Sequence, residues 1–396
     1  MLDLVEDRLC SSWDKVMQYF RDIEQSNNIS HAVYSSVDIR ESDFKISAVD
    51  HNAFPGGFNN ITNYDILLNK ASKAFKAYFD NTHGGGEIKK ILIIPDNITR
   101  NKNYVDNVHA LKLILENASF TVRIGAIMNE DRDKISSSEF VQKSLDDGTI
   151  STVDGFVPDI IMLNNDLTTG VPDELIHTKQ LITPHYSYGW YNRSKYKILF
   201  TYNNLISYVM ESILEYDPWL LTTTISLVQD VSFHQKLNLH KIAEKADELL
   251  EGIRNKYNEY GIHETPRLFI KPDNGTHGLG ITTITKGQDI ININKKTRSS
   301  IHKIKFGVLN SSVLIQEAVP TKHSIHHQGV TMPAEKIMYN VNNNIVATLI
   351  RYNSRKNRVN NLNSNGMKIT VANNQEPSYI ERLISIAASY ASALSI

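Results

Sequence analysis

Residues 268–281 read LFIKPDNGTHGLGI, and no other stretch restricts the fold as much. A short apolar run, Leu268 to Ile270, ends in Lys271 and Pro272. A loop holding Gly275, Thr276, Gly278 and Gly280 follows, and then a β-branched run from Ile281 to Ile284. The pattern is strand, glycine-rich turn, strand. Glycines let a backbone approach phosphate oxygens and aim its N–H groups at them. A lysine beside such a loop adds a mobile point charge. The segment therefore fits a cradle for a nucleotide triphosphate. No Gly-Lys-Ser/Thr follows, so it is not a Walker loop. A strand rather than a helix comes next, so it is not a dinucleotide fingerprint either. The same residues also fit a tight hairpin in which Lys271 is a solvated strand-end charge.

At 396 residues the chain is long enough for two or three subdomains with substantial cores. Its net charge of −1, without a basic stripe or a charged block, argues against nucleic acid as a partner. No apolar run approaches the roughly 20 residues of a membrane helix. The N-terminal MLDLVEDRLC has no apolar signal core. The single cysteine, Cys10, excludes an internal disulfide and a thiolate metal cluster, and points to a reducing cytoplasm. It lies on a helical pattern, where a free cysteine is usually a small apolar filler.

Along the chain, residues 1–28 predict a leading helix, and residues 33–50 strands and turns. Ile91–Ile94, Thr121–Ala126 and Ile160–Leu163 predict strands, and Val105, Val108, Leu111 and Leu115 mark a helix over 104–117. Strand, helix, strand with apolar strands implies a βαβ unit and a partly parallel sheet. Further on, helices are expected over 204–216 and 238–260, with Gly261 as the closing residue of the second. A strand at Val313–Glu317 and a hairpin over 335–351, turning on Asn342-Asn343-Asn344, precede a closing helix.

Several polar sets fall at strand ends. VLIQEAV runs into Gln316 and Glu317, a strand end able to face an adenine edge; it also fits an ordinary core strand. Glu335, Arg351, Asn361 and Asn363 offer a carboxylate, a guanidinium and amide oxygens, suited to magnesium and a phosphoryl group. Unless the glycine-rich segment holds phosphate, they fit a polar turn with a surface salt bridge better. Asp38 and Arg40 stand in SVDIR, and Asp50, Asn52, Phe54 and Asn59 in VDHNAFPGGFNN. Thr99 and Arg100 follow one strand, and Asn164, Asn165 and Asp166 another. Ligands of open α/β sheets gather at such carboxyl ends, although Asn and Asp also simply make turns. His185, Trp190, Arg193 and Lys195 form a third set; no partner histidine stands at metal-ligand spacing from His185.

Together these motifs resemble the glutamate–cysteine ligases of the proteobacterial ATP-grasp type. The resemblance covers nearly the whole chain. It rests on SVDIR, VDHNAFPGGFNN, DNITRN, RIG, PDIIMLNNDL, GWYNRSK, DPWLL, KYNEYGI, KPDNGTHGLGI, VLIQEAV and NLNSNGM, in matching order and spacing. It implies an N-terminal α/β domain, Rossmann-like and preceding the ATP-grasp part, over residues 1–195. An ATP-grasp domain of two α+β subdomains would follow over 196–396. It implies ATP and Mg2+, with Lys271 on the phosphates and Gly275, Thr276, Gly278 and Gly280 forming the flap above them. Gln316, Glu317 and Val319 would form the adenine hinge, and Lys271 and Arg351 would act on the transferring phosphoryl group. Glu335, Asn361 and Asn363 would hold the metal. Asp38, Arg40, Asp50, Asn52, Asn59, Arg100, Asn165 and Arg193 are the substrate candidates, arginine being able to clamp a carboxylate bidentately. Glutamate, cysteine and ATP would be the partners, in the cytoplasm, with no nucleic acid and no membrane; the oligomeric state stays open. One departure stands out: Asn360 occupies the position before NLN where the family carries an acid. Other readings of the same residues are a different ATP-grasp amine ligase, such as glutathione synthetase or a glutamate-adding ligase, or a non-catalytic binding protein.

Overall fold

A computed structural model describes residues 1–82, 88–96, 102–127, 139–142, 148–231, 236–274, 280–302, 311–327, 329–372 and 376–396. The leading helix is α1 (Leu2–Asn27), with Val5, Leu9, Val16 and Phe20 buried along one stripe. Asn28 closes it in the left-handed conformation. Two strands follow, β1 (Tyr34–Glu41) and β2 (Ile46–Asn52), and then α2 (Asp65–Thr82). The sequence reading leaves α2 unassigned, although Ala71, Phe75, Tyr78 and Phe79 give it a buried stripe.

A parallel-sheet unit comes next: β3 (Lys90–Pro95), α3 (Lys102–Asn117), β4 (Thr121–Ile127), β5 (Glu139–Gln142), β6 (Ser151–Thr152), β7 (Ile160–Asn164), α4 (Asp173–His177) and β8 (Leu181–Thr183). Its order is β6-β5-β4-β3-β7-β8, parallel throughout except for β6 at the edge. The apolar runs Ile91–Ile94 and Ile160–Leu163 are buried, as strands covered on both faces must be. The connections leave β3 on one side and return to β7 on the other, so the carboxyl ends of β3 and β7 flank a crevice.

The chain continues through α5 (Lys195–Tyr208), β9 (Ile225–Val228), α6 (Lys236–Glu259), β10 (Leu268–Pro272), β11 (Thr282–Ile284), α7 (Gln288–Ile291), α8 (Lys295–His302) and β12 (Val313–Glu317). Helix α5 begins well before the expected residue 204 because Ser194 accepts a hydrogen bond from the Lys197 N–H and caps it. The part expected over 209–214 is a π-helical continuation. Strands β11-β10-β12-β9 form an antiparallel sheet, against which α6 packs.

The last elements are β13 (Ser324–His327), β14 (Val330–Val341), β15 (Asn344–Asn353), β16 (Met367–Val371) and α9 (Tyr379–Leu394). The β14–β15 hairpin turns on Asn342 and Asn343, whose φ values of 52° and 57° suit a tight two-residue turn. The sheet built on this hairpin runs β16-β15-β14-β1-β2, with β13 joined to β14. It takes strands from both sides of residue 195: β1 pairs antiparallel with β14, Asp38 lying opposite Ile337. The alternation in SVDIR explains this. Val37 and Ile39 share a core with helices α1, α5 and α9. Tyr34, with Ile337, Tyr339 and Leu349, packs on the opposite side against the parallel-sheet unit. A strand with two different faces suits an antiparallel sheet. The fold is thus a Rossmann-like α/β unit joined to two α+β units, the class expected from sequence.

Candidate functional site

Beyond Tyr34, the positions of β1 that follow the two-residue period are Ser36, Asp38 and Arg40, so this face passes from apolar to charged. There a cleft of about 920 Å³ opens between the mixed-origin sheet and the carboxyl ends of β3 and β7. Asp38, Asp50, Asn52, Asn59, Arg351 and Asn363 line it, as the sequence reading expects of site residues. Trp190, Lys195, Tyr339, Asp96 and Tyr104 line it as well.

Asp38 and Arg351, which line it, begin an alternating chain of charges that runs behind the lining to Glu335 and Arg40. Arg351 Nη1 donates to Asp38 Oδ2 at 2.6 Å and to Glu335 Oε1 at 2.8 Å. Arg40 Nε donates to the other Glu335 oxygen, and its Nη groups reach the carbonyls of Arg358, at 3.2 Å, and Asn360, at 2.7 Å. All four side chains are largely buried. Burial raises Glu335, but Arg40 and Arg351 outweigh it and hold the carboxyl below its usual range. Asp38 goes the other way: burial outweighs Arg351, and Glu335 adds to the rise. Arg351 Nη2 also leans on Asp38 Oδ1 at 3.4 Å, and its buried Nε has no partner among the described residues.

Asp50 lies across from Asp38 in the β1–β2 pair. Lys195, the first residue of α5, donates to both Asp50 oxygens at 2.6 and 2.7 Å and lies 5.2 Å from the centre of the Trp190 ring. Sequence reasoning noted Lys195 without assigning it; a lysine in a helix's first turn carries no signal that separates it from a solvated charge. Lys271, on β10, approaches from the other side. It donates to Gln316 Oε1 at 2.6 Å and to the Val49 carbonyl at 3.2 Å. Burial pushes its ammonium down to about 8, against the pull of Asp50.

The remaining candidates divide. Gln316 is buried and its Nε2 donates to Thr223 Oγ1 at 3.2 Å. The Glu317 carboxylate is fully committed to Lys45 and the Thr224 N–H, so its side chain does not face a ligand. Val319 is buried just past β12. Gly280 enters β11 with φ +70°. Asn52 accepts from the Phe54 N–H at 3.0 Å and Asn165 from the Leu167 N–H at 2.9 Å, so both serve turns. Arg193 lies away from the cleft lining; it donates to the Ser392 carbonyl at 2.7 Å, tying the start of α5 to the end of α9. Arg100, Gly275, Thr276 and Gly278 lie outside the described residues.

The donors expected to hold magnesium do not fit a resident ion. Glu335 is taken by two guanidiniums, Asp38 by Arg351 and Asp50 by Lys195. The Asn361 amide closes on the Asn363 backbone instead, at 3.2 and 3.0 Å. Among the described residues no three His, Cys, Asp or Glu side chains gather as a metal site. Magnesium seeks anionic oxygens that are not already neutralised. Asn360 accepts from the Asn357 N–H at 3.1 Å through its side chain, so it makes a turn of its own.

The glutamate-cysteine ligase family model matches residues 6–385. A protein of Methylobacillus flagellatus KT, assigned as a gamma-glutamylcysteine synthetase, has a crystal structure that is 28% identical with a TM-score of 0.82, covering 98% of this chain and 95% of that one. D-alanyl-alanine synthetase A of Vibrio cholerae is 12% identical at a TM-score of 0.36, covering 77% of this chain and 80% of that one. A glutathione synthetase-like effector of Globodera pallida is 11% identical at 0.42, covering 88% and 76%. The last two are too distant to carry an argument. No curated protein matches the chain.

Proposed function

The chain belongs to the glutamate–cysteine ligase family, and from that premise we propose that it joins the γ-carboxylate of glutamate to the amine of cysteine, using ATP and giving γ-glutamylcysteine. The product opens glutathione synthesis. The observation that carries the reading is the family match over residues 6–385, supported by a cleft that pairs carboxylates with cations.

A γ-carboxylate oxygen bonds to the γ-phosphorus of ATP, and ADP leaves. The cysteine amine then attacks the acyl carbon, phosphate departs and the amine gives up a proton. Such chemistry needs positioning and charge neutralisation rather than a protein nucleophile. The Arg351 guanidinium, which lines the cleft, suits a substrate carboxylate or the acyl phosphate. Lys271 suits the phosphates, with Gly275 to Gly280 as the flap. Gln316 and the backbone of Glu317 and Val319 suit the adenine, the Glu317 carboxylate being used elsewhere. Asp38, Asp50 and Asn59 suit the ammonium groups of the amino acids. In this reading magnesium arrives on the ATP phosphates as part of the substrate. Residues 1–195 would supply the substrate side, and residues 196–396 the nucleotide side and the catalytic groups. No helix of the described residues is long and apolar enough to cross a membrane. A reducing cytoplasm keeps the cysteine substrate a free thiol.

The test is ADP release by the purified protein with ATP and magnesium. Glutamate plus cysteine should support it. Turnover with γ-glutamylcysteine plus glycine, and none with glutamate plus cysteine, would move the assignment to glutathione synthetase.

A further inference from the structure

We propose that Asp273, at the foot of the glycine-rich segment, is a positioning residue that sets Lys195 in the substrate cleft and so links the nucleotide side of the reaction to the substrate side; this rests on the ligase reading above. Asp273 directly follows β10 and is buried. Its carbonyl accepts from the Lys195 N–H at 2.9 Å, and its Oδ1 accepts from the Tyr196 N–H at 2.8 Å. Ser194 hydrogen-bonds the same carboxylate. The Asp273 N–H itself donates to the Ser312 carbonyl at 3.1 Å, beside β12.

The first N–H groups of a helix need acceptors, and one capping side chain usually serves. Helix α5 has that cap in Ser194 and receives a second from a strand far along the chain. That second cap serves the N–H groups of Lys195 and Tyr196, which Ser194 does not reach. It also fixes the first turn of α5 against β10, two residues from Lys271. Lys195 spends two of its three ammonium donors on Asp50, which leaves one for an anion in the cleft. On the other flank of Asp50, Lys271 holds the Val49 carbonyl. The strand that carries the phosphate-side lysine therefore also sets the substrate-side lysine through one residue, its carbonyl holding the Lys195 N–H and its carboxylate holding Ser194 and the Tyr196 N–H on either side.

Steady-state ADP release, varying glutamate and then ATP, tests this on Asp273→Ala, Asp273→Asn, Ser194→Ala, Lys195→Met and the double variant Lys195→Met/Asp273→Ala. Asp273→Ala should raise KM for glutamate about tenfold and leave KM for ATP within about twofold. Asp273→Asn keeps an acceptor oxygen and should restore most of the loss. The double variant should match Lys195→Met alone, because residues acting through one another are not additive. Ser194→Ala should shift the same constant in the same direction, and it decides the matter if Asp273→Ala does not fold. An effect confined to ATP, or one that multiplies with Lys195→Met, overturns the proposal. A wild-type protein without turnover on glutamate and cysteine overturns the ligase reading instead. Calorimetric titration of glutamate into the same variants then replaces KM, and unchanged affinity in Asp273→Ala and Ser194→Ala overturns the role of Asp273.

Discussion

Lys45 Nζ stands 2.9 Å from each carboxylate oxygen of Glu317, and neither side chain reaches solvent. The Trp219 ring lies 4.1 Å from the ammonium, and the Thr224 N–H donates to the carboxylate at 3.0 Å. The pair bolts the start of β2 to the end of β12, joining the sheet of Asp38 and Arg351 to the sheet of Lys271. Burial lowers Lys45, and Glu317 draws it back up.

Breaking that pair from one side strands a buried charge. Lys45→Met is expected to lower unfolding free energy by about 3–5 kcal/mol, the range for an orphaned partner of a buried ion pair. Lys45→Met/Glu317→Leu should recover much of the loss, because burying two apolar side chains is often neutral. Denaturant unfolding of both variants decides it, and equal stabilities would contradict the lock.

Lys271→Met should lower turnover by about 100-fold or more while the protein stays folded, the scale for losing one preorganised donor. With its pKa pushed down to about 8, Lys271 is charged below that pH and neutral above it. ATP affinity should then weaken as pH rises through about 8, and Lys271→Arg should remove that dependence. The stability effect has the opposite sense. The folded pKa lies below the unfolded one, so between about 8 and 10.4 the unfolded chain binds more protons. The contribution of this residue rises with pH across that window and is lost as pH falls through it. ATP titrations by calorimetry at several pH values check the first statement.

Arg351 joins Asp38 to Glu335 and lines the cleft. Arg351→Ala should reduce kcat/KM for glutamate by about 100-fold or more. Arg351→Lys keeps the charge but not the planar fork, and should recover only part. Wild-type kinetics in the lysine variant would show that charge alone is enough. A melting curve separates loss of the ion-pair chain from loss of substrate contact.

Gly57 has φ +101°, and a Cβ there would stand 2.5 Å from the Tyr339 hydroxyl. That hydroxyl donates to the Gly56 carbonyl, holding the PGG turn against the cleft wall. Gly57→Ala should cost about 1–2 kcal/mol from backbone strain alone. Adding Tyr339→Phe should relieve the clash and leave the strain. Unfolding midpoints of the single and double variants measure the two parts.

Much of this arrangement was legible in the sequence because it is local. The two-residue period of SVDIR, the apolar runs of β3 and β7, the Asn342-Asn343 turn and the lysine at the end of β10 each report their own surroundings. What was not legible depends on partners far along the chain. Nothing near Glu317 shows that Lys45 will claim its carboxylate, and nothing near Arg193 shows that a helix end will take its guanidinium. Asn165 and Asn360 carry the same side chain as a ligand would, and spend it on turns. The Ser194 cap turns GWYNRSK from a loop into the start of a helix, but nothing near Lys195 shows that its ammonium will go to Asp50, 145 positions away.

The β1–β14 pairing brings together Asp38 and Arg351, 313 positions apart. A ribosome makes chain at about 5–20 residues per second, so the first hairpin waits on the order of tens of seconds for its partner. During that interval its edge is open, and the charges of Asp38 and Arg40 discourage it from pairing with a neighbouring nascent chain. The strand pairings of the parallel-sheet unit lie within residues 90–183 and can form meanwhile, although its core is completed only when Ile337, Tyr339 and Leu349 arrive. The reaction centre is thus among the last parts of the molecule to exist during synthesis, and no unfinished chain that lacks β14 and β15 carries it.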